Sequence, residues 1–329
     1  MTSTADEGWV HAGPTDGLWI ELERLLSGRI TSLRRRPSEY RTSFAVEELD
    51  VDLAEGPPLA LVLKCGGPES LSAEARRVRP SFLYEPLREI EAYREILVPE
   101  RVTTPAFYGA VVGDSTGRQW LFLERVRGHE LWREGDFSVW EDAARWLARV
   151  HGRLSTVSAD KARRARLLRY DSGLLSRWPA RAAALGRLDG ALAALPARYG
   201  EIVERLASLP RTVIHGEFYA SNVMVREAGR EICPLDWELA GWGPGLIDLA
   251  ALASGAWSDG QRHRLALAYH AELPPSSRPP LGDMLVSLDC CRLHLAVQWL
   301  GWARDWSPPP EHAQDWRAEA TALSARLLP

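Results

Sequence analysis

Val213-Ile214-His215-Gly216-Glu217-Phe218-Tyr219-Ala220-Ser221-Asn222-Val223-Met224-Val225, with its continuation Ile232-Cys233-Pro234-Leu235-Asp236-Trp237-Glu238, is the stretch from which the rest of the chain is read. A β-rich apolar run ends at His215. The polar loop that follows holds one carboxylate, Glu217, and one amide, Asn222. Residues 223–225 predict a strand, 226–229 a turn and 231–235 a returning strand, with a second carboxylate, Asp236, at its end. Such a hairpin brings Asp236 back beside Asn222.

That pairing suits phosphoryl transfer. Mg²⁺ is a hard cation that takes carboxylate and amide oxygens together with phosphate oxygens, so Asn222 and Asp236 are the candidate metal ligands. Glu217, earlier in the loop, is placed to accept the proton of an attacking hydroxyl. Its spacing to Asn222 equals that between base and Asn in the protein kinase catalytic loop. Glu217, Asn222 and Asp236 are therefore the candidate catalytic set. A single His among oxygen donors fits Mg²⁺ better than a transition metal serving a hydrolase.

His215-Gly216-Glu217, then Asn222, then Asp236-Trp237-Glu238, then Gly245-Leu246-Ile247-Asp248-Leu249-Ala250 resembles the aminoglycoside phosphotransferase and choline kinase-like family from about residue 40 to the end. That family usually has Asp where this chain has Glu217. The resemblance implies an α+β, two-lobed protein kinase-like fold. Its N-lobe, residues 1–126, would be a small antiparallel sheet with a packed helix. Its C-lobe, residues 127–329, would be mostly helical. It also implies ATP and Mg²⁺, with nucleotide between the lobes, His215 bracing the loop and Asp248 anchoring it. Glu is one methylene longer than Asp, about 1.5 Å from standard bond lengths, so the acceptor hydroxyl would sit farther from the loop.

The composition excludes several other classes. The chain has 329 residues and 46% hydrophobic content, enough for two lobes with a sizeable core. Its net charge of −4, with Arg34-Arg35-Arg36 as the one notable basic run, argues against a nucleic-acid partner. No apolar run is long enough to span a membrane, and the start lacks a signal-peptide pattern. Cys65, Cys233, Cys290 and Cys291 show no metal-like spacing and read as reduced thiols of a cytoplasmic protein.

Along the chain, residues 1–14 read as disordered. Thr15-Asp16 can cap a helix with Leu18, Leu22 and Leu25 on one face, and Arg34 to Pro37 end that element. Leu49, Val51 and Leu53 alternate with Glu48, Asp50 and Asp52 as a half-buried strand. The run 59–63 is an apolar strand that delivers Lys64, a candidate for the nucleotide phosphates. Glu89, on the helical stretch 87–97 with Ile90, Tyr93 and Leu97 inward, is the candidate partner that orients Lys64. Glu91 is the neighbouring alternative, and the resemblance favours Glu89. No G-x-G-x-x-G loop is present. Tyr40-Arg41-Thr42-Ser43-Phe44 is the candidate phosphate loop, through Thr42 and Ser43. Residues 107–112 and 119–124 are two strands. Glu124 and Val126 follow where kinase-like folds bind adenine through the backbone. Ser138 and Glu141 read as a capping box for a helix with Trp140, Ala144, Leu147, His151 and Leu154 on one face. His151 reads as structural. Residues 160–208 read as further helices, 281–302 as a long helix, and 311–327 as the last.

The helix 281–302 places Asp289, Arg292 and Trp299 on one side, near where the resembling family binds acceptors. An acid and a tryptophan suit a cationic ligand, whereas Arg292 suits an anionic one, and a surface ion pair reads equally well. The function expected is ATP-dependent phosphorylation of a hydroxyl on a small molecule. A nucleotide-binding regulator without turnover, motivated by Glu217 and by the missing glycine loop, and an AMP-transferring enzyme on the same fold are the alternatives.

Overall fold

The computed structural model describes residues 8–39, 43–113, 118–303 and 314–329. The chain divides into two compact units, residues 1–77 with 104–127 and residues 78–103 with 128–329. The division expected at residue 126 thus falls at Arg127, and the segment 78–103 groups with the second unit rather than the first.

In the first unit, β1 (Val10–His11), β2 (Ile30–Pro37), β3 (Val46–Leu53), β4 (Leu59–Cys65), β5 (Phe107–Val112) and β6 (Gln119–Glu124) form one sheet. Its order is β1-β2-β3-β4-β6-β5, antiparallel throughout. Helix α1 (Gly17–Leu26) starts where Asp16 accepts the Leu18 N–H at 2.8 Å. It lays Leu18, Trp19 and Leu22 on Leu33, Leu49, Val51, Leu61, Leu63 and Phe122. The apolar residues of each strand alternate, so one face of the sheet buries them under the helix.

Two expectations are corrected here. Arg34, Arg35 and Arg36 do not end an element: they lie within β2, and each meets a carboxylate of β3, respectively Asp50, Glu47 and Glu48. Cross-strand neutralisation lets the basic run stay extended. The residues just after the start are also ordered. Val10 and His11 pair with Arg35 and Arg34, and the Trp9 ring lies under the guanidinium groups of Arg34, Arg36 and Arg125, a cation–π anchor. Residues 1–7 and 114–117 lie outside those described.

The short helix α2 (Ala73–Val78) leads into the second unit. There α3 (Arg88–Ala92) continues as a π-helical turn over Tyr93–Leu97, with Ile90, Tyr93 and Leu97 buried as expected. β7 (Gly128–Glu130) leads into α4 (Phe137–Leu154). The cap of α4 is not Ser138: Asp136 accepts the Ser138 N–H at 3.0 Å. A carboxylate is acceptor-only and favourable at a helix N-terminus, and Glu141 pairs instead with Arg264. Residues 160–208 give α5 (Ala159–Arg164), α6 (Ser172–Leu175), α7 (Arg177–Ala184) and α8 (Leu195–Ser208), with a short strand, β8 (Leu168–Arg169), among them.

β9 (Arg211–Ile214), β10 (Val223–Arg226), β11 (Ile232–Pro234) and β12 (Gly241–Pro244) follow, then α9 (Leu246–Leu252), α10 (Asp259–Glu272), α11 (Leu281–Leu300) and α12 (Trp316–Leu327). Two three-stranded sheets result, β11-β10-β7 and β8-β12-β9. Residues 304–313, with the proline run and the expected start of the last helix, lie outside those described. Among the described residues no helix is long and apolar enough to cross a membrane. All four cysteines are free thiols.

Candidate active site

The hairpin forms as read. Val223, Met224 and Val225 pair with Pro234, Cys233 and Ile232. Leu235 N–H donates to the Asn222 carbonyl at 2.7 Å, so Asp236 leaves the hairpin one residue beyond the partner of Asn222. A third strand was not foreseen: β7 pairs along β10, Met224 opposite Glu130. Asn222 donates its side-chain amide to the Glu217 carbonyl at 3.0 Å. That bond fixes the amide and closes the loop between candidate base and candidate ligand.

The loop is held from beneath by Asp248, which is 0% exposed. Its Oδ2 accepts His215 N–H at 2.7 Å and its Oδ1 accepts Gly216 N–H at 2.8 Å. His151 Nε2 lies 3.2 Å from Oδ2, and Nδ1 of the same ring lies 2.9 Å from the Tyr269 hydroxyl. A buried carboxylate with this many donors locks the chain that supplies them. Gly216 sits at φ +86, and a Cβ there would come within 2.3 Å of the Leu239 carbonyl, so only glycine fits this approach. Glu217 N–H donates to His215 Nδ1 at 3.3 Å, which leaves His215 Nε2 to donate to the Leu235 carbonyl at 2.6 Å. The His215 ring therefore ties the loop to the returning strand as a neutral tautomer.

Two tyrosines line the loop, and sequence reasoning missed both. Burial raises the pKa of Tyr170, and the charges of Asp248 and Glu217 add to it. Burial likewise raises Tyr219, with Glu217 next in weight. Both phenols stay neutral beside the loop. Tyr219 accepts the Trp299 indole N–H at 2.8 Å.

Asp236 adopts the left-handed region, φ 60 and ψ 67, where a non-glycine residue needs support from its surroundings. The segment 78–103 supplies it. Glu89 Oε1 accepts Trp237 N–H at 3.1 Å, Arg88 Nη1 donates to the Glu238 carbonyl at 2.8 Å, and Arg79 pairs with the Glu238 carboxylate at 2.6 Å. Glu89 is thus a buried acceptor for the turn after Asp236. Glu91 pairs with Arg94 at 3.5 Å within its own helix. Arg79 and Glu238 carried no signal in the sequence, because an ion pair 159 residues apart has no local pattern.

Asn222 and Asp236 offer an amide and a carboxylate oxygen, donors that Mg²⁺ takes together with phosphate oxygens. Among the described residues no group of three or more His, Cys, Asp or Glu is placed to hold a metal by itself.

The first unit carries the remaining candidates for nucleotide. Lys64 lies in β4, between Val46 of β3 and Leu121 of β6. Ser43 accepts the Ser72 N–H through its carbonyl at 3.0 Å, while Tyr40, Arg41 and Thr42 lie outside the described residues. Glu124 ends β6, and its carboxylate accepts Ala106 N–H at 3.0 Å. Val126 follows it, half-buried.

The acceptor candidates on α11 separate. Arg292 pairs with Asp289 at 3.0 Å and with Glu319 at 2.5 Å, and Arg326 pairs with Asp289 at 2.7 Å. This cluster joins α11 to α12. Trp299 also packs on α12, stacked on Trp316 with ring centroids 5.3 Å apart, and in addition meets Tyr219 edge-on.

The chain is similar to known proteins. The sequence model of a family described as "Phosphotransferase enzyme family" matches residues 66–279. Similar solved structures include a putative aminoglycoside phosphotransferase from Ralstonia eutropha JMP134, 14% identical, TM-score 0.62, covering 96% of each chain. A Plasmodium vivax ethanolamine kinase is 11% identical with TM-score 0.61, over 89% of this chain and 82% of its own. A GDP complex of aminoglycoside 2'-phosphotransferase-IIIa is 14% identical with TM-score 0.56, over 90% and 92%. No curated protein matches the sequence at a significant level. At these identities the likeness shows the fold: the α+β, protein kinase-like fold expected from the catalytic stretch.

Proposed function

The chain belongs to the Phosphotransferase enzyme family, and we propose that it transfers the γ-phosphoryl group of ATP to a hydroxyl of a small molecule. One observation carries this reading: Glu217, Asn222 and Asp236 are gathered on a single loop and hairpin that Asp248 holds rigid from beneath. A rigid loop suits a reaction whose catalysis is mainly positioning and charge stabilisation.

Glu217 accepts the acceptor's hydroxyl proton as its oxygen bonds to the γ-phosphorus. The bond to the bridging oxygen breaks, and ADP leaves with that electron pair. Asn222 and Asp236 hold Mg²⁺, which neutralises developing charge on the phosphates when bound. On the first unit, Lys64 and Ser43 serve the phosphates, and Glu124 and Val126 serve the base through their backbone. Glu89 steadies the Asp236 turn through Trp237. A similar fold solved with GDP supports a purine nucleotide as donor. The acceptors of similar structures, ethanolamine and aminoglycosides by their names, support a hydroxylated amine. Trp299, beside Tyr219 of the loop, is the better placed of the three acceptor candidates.

ATP labelled at the γ- or the α-position, incubated with a panel of amino alcohols and aminoglycosides, tests the proposal. Label transferred from the γ-position to an acceptor is expected. Transfer of α-label would mean AMP transfer. No transfer, with nucleotide still bound, would mean a regulator.

A further inference from the structure

Asp236 is followed at once by a turn that three side chains of one segment grip. Arg79, Arg88 and Glu89 bond the Glu238 carboxylate, the Glu238 carbonyl and the Trp237 N–H respectively. Arg88 is further tied to the carbonyls of Leu83 and Arg166 at 3.1 Å each, so the segment is itself anchored. Of the three contacts, only Arg79 to Glu238 joins two side-chain charges, and both are largely buried, at 8% and 13% exposed.

We propose that Arg79 is a positioning residue for phosphoryl transfer: by pairing with Glu238 it fixes the left-handed turn that aims the Asp236 carboxylate at the metal. This rests on the function proposed above. A non-glycine residue at φ 60 is strained and persists only where neighbours over-determine it. The three contacts from 79–89 are that over-determination. Charge argues the same way. Burial opposes a charge on Arg79, yet Glu238 first, then Glu217, and after them Asp236, hold its guanidinium more firmly protonated than usual. Arg79 thus feels the charge of both the candidate base and the candidate metal ligand. Removing it would take away the ion pair that the buried Glu238 carboxylate makes two residues from Asp236.

A merely structural role is the competing reading: Arg79 would then fasten residues 78–84 to the second unit and do no more. The two readings part on metal affinity. Calorimetry would titrate Mg²⁺ into the full-length protein saturated with ADP, and ADP into the metal-free protein, beside kcat with a verified acceptor. Arg79→Met should weaken Mg²⁺ binding about 10–100-fold, the cost of losing a partner behind a metal ligand, and lower kcat with it. Metal-free ADP binding should be unchanged. Arg79→Lys, which can still pair with Glu238, should recover most of the Mg²⁺ affinity. Parent-like Mg²⁺ affinity in Arg79→Met, whatever its melting temperature, overturns the proposal. Should Arg79→Met not fold, Glu238→Gln breaks the same pair almost isosterically and should weaken Mg²⁺ in the same direction. Unchanged affinity there overturns the proposal equally. A parent protein that binds no Mg²⁺ with ADP refutes the phosphotransfer reading itself, an outcome distinct from a parent that binds it and an Arg79 variant that binds it as well.

Discussion

Asp248 and Asp289 are both carboxylates on helices of the second unit, satisfied in opposite ways. Asp248 is wholly buried and accepts from the backbone of His215 and Gly216 and from the His151 ring. Asp289, 22% exposed, meets the side chains of Arg292 and Arg326. A carboxylate that takes backbone N–H groups dictates main-chain conformation. One that takes long side chains holds two helices together and loses rotamer entropy in doing so. The first arrangement belongs where catalytic atoms must be placed to a fraction of an ångström. The second belongs where two elements need only stay packed.

The largest expected effect lies on the loop that Asp248 supports. Glu217→Gln keeps shape and hydrogen bonding but loses the base, and should lower kcat by roughly 10²–10⁴ while nucleotide affinity holds. Equal rates of ADP release from parent and variant, with a verified acceptor, would break the link between rigid loop and chemistry.

Asp248→Ala comes next. It orphans the N–H groups of His215 and Gly216, each at a cost of about 1–3 kcal/mol. Denaturant unfolding should show that loss, and kcat should fall in whatever protein remains folded. A variant as stable and as fast as the parent would mean the loop holds its own shape.

His294 sharpens the comparison, because it is buried on α11 and belongs to neither cluster. Its Nδ1 lies 2.9 Å from the Tyr199 hydroxyl, and burial pushes its pKa down from 6.5 to about 4. The unfolded chain therefore binds more protons between these values. Stability should fall as pH is lowered through that window and lose nothing further from this group below it. The slope is at most about 1.4 kcal/mol per pH unit. His294→Gln should remove that slope, measured by denaturant unfolding at either end of the window. An unchanged slope would show that the folded ring takes up a proton as readily as the unfolded one.

The smallest effect is expected at Arg326, whose side chain is 57% exposed in its pair with Asp289. Arg326→Ala should cost about 0.2–1 kcal/mol and leave kcat untouched. A large loss of activity would place the Asp289 cluster with the acceptor after all.

The sequence made legible what has a local period or a fixed spacing. The strand of Leu49 and Val51 followed from alternation, the strand that delivers Lys64 from its apolar run, and α1 from the cap signal at Thr15-Asp16. The Glu217, Asn222 and Asp236 hairpin followed from spacing along one short stretch. What escaped has no such pattern. The strand β7 joins the hairpin from about a hundred residues upstream, and Trp9 meets an arginine of β2 and another just past the end of β6. Arg79 reaches Glu238 across 159 residues. The basic run in β2 misled because charge in one strand was weighed without the acids opposite it. The helix carrying the acceptor candidates was read correctly as a helix, but its periodicity could not tell that Asp289 and Arg292 are tied up in ion pairs while Trp299 meets both α12 and the loop.

The grip of residues 79–89 on the Asp236 turn also sets a timetable for the newborn chain. Ribosomes add about 5–20 residues per second, so Glu238 is synthesised roughly 8–30 s after Arg79, given their separation of 159 residues. Throughout that interval Ile90, Tyr93, Ile96 and Leu97, all buried in the finished protein, have no completed unit to pack against. The nascent segment is therefore an apolar stretch waiting for its partner, and a chaperone that covers residues 90–97 should raise the yield of folded protein more than one acting on the helices near the C-terminus.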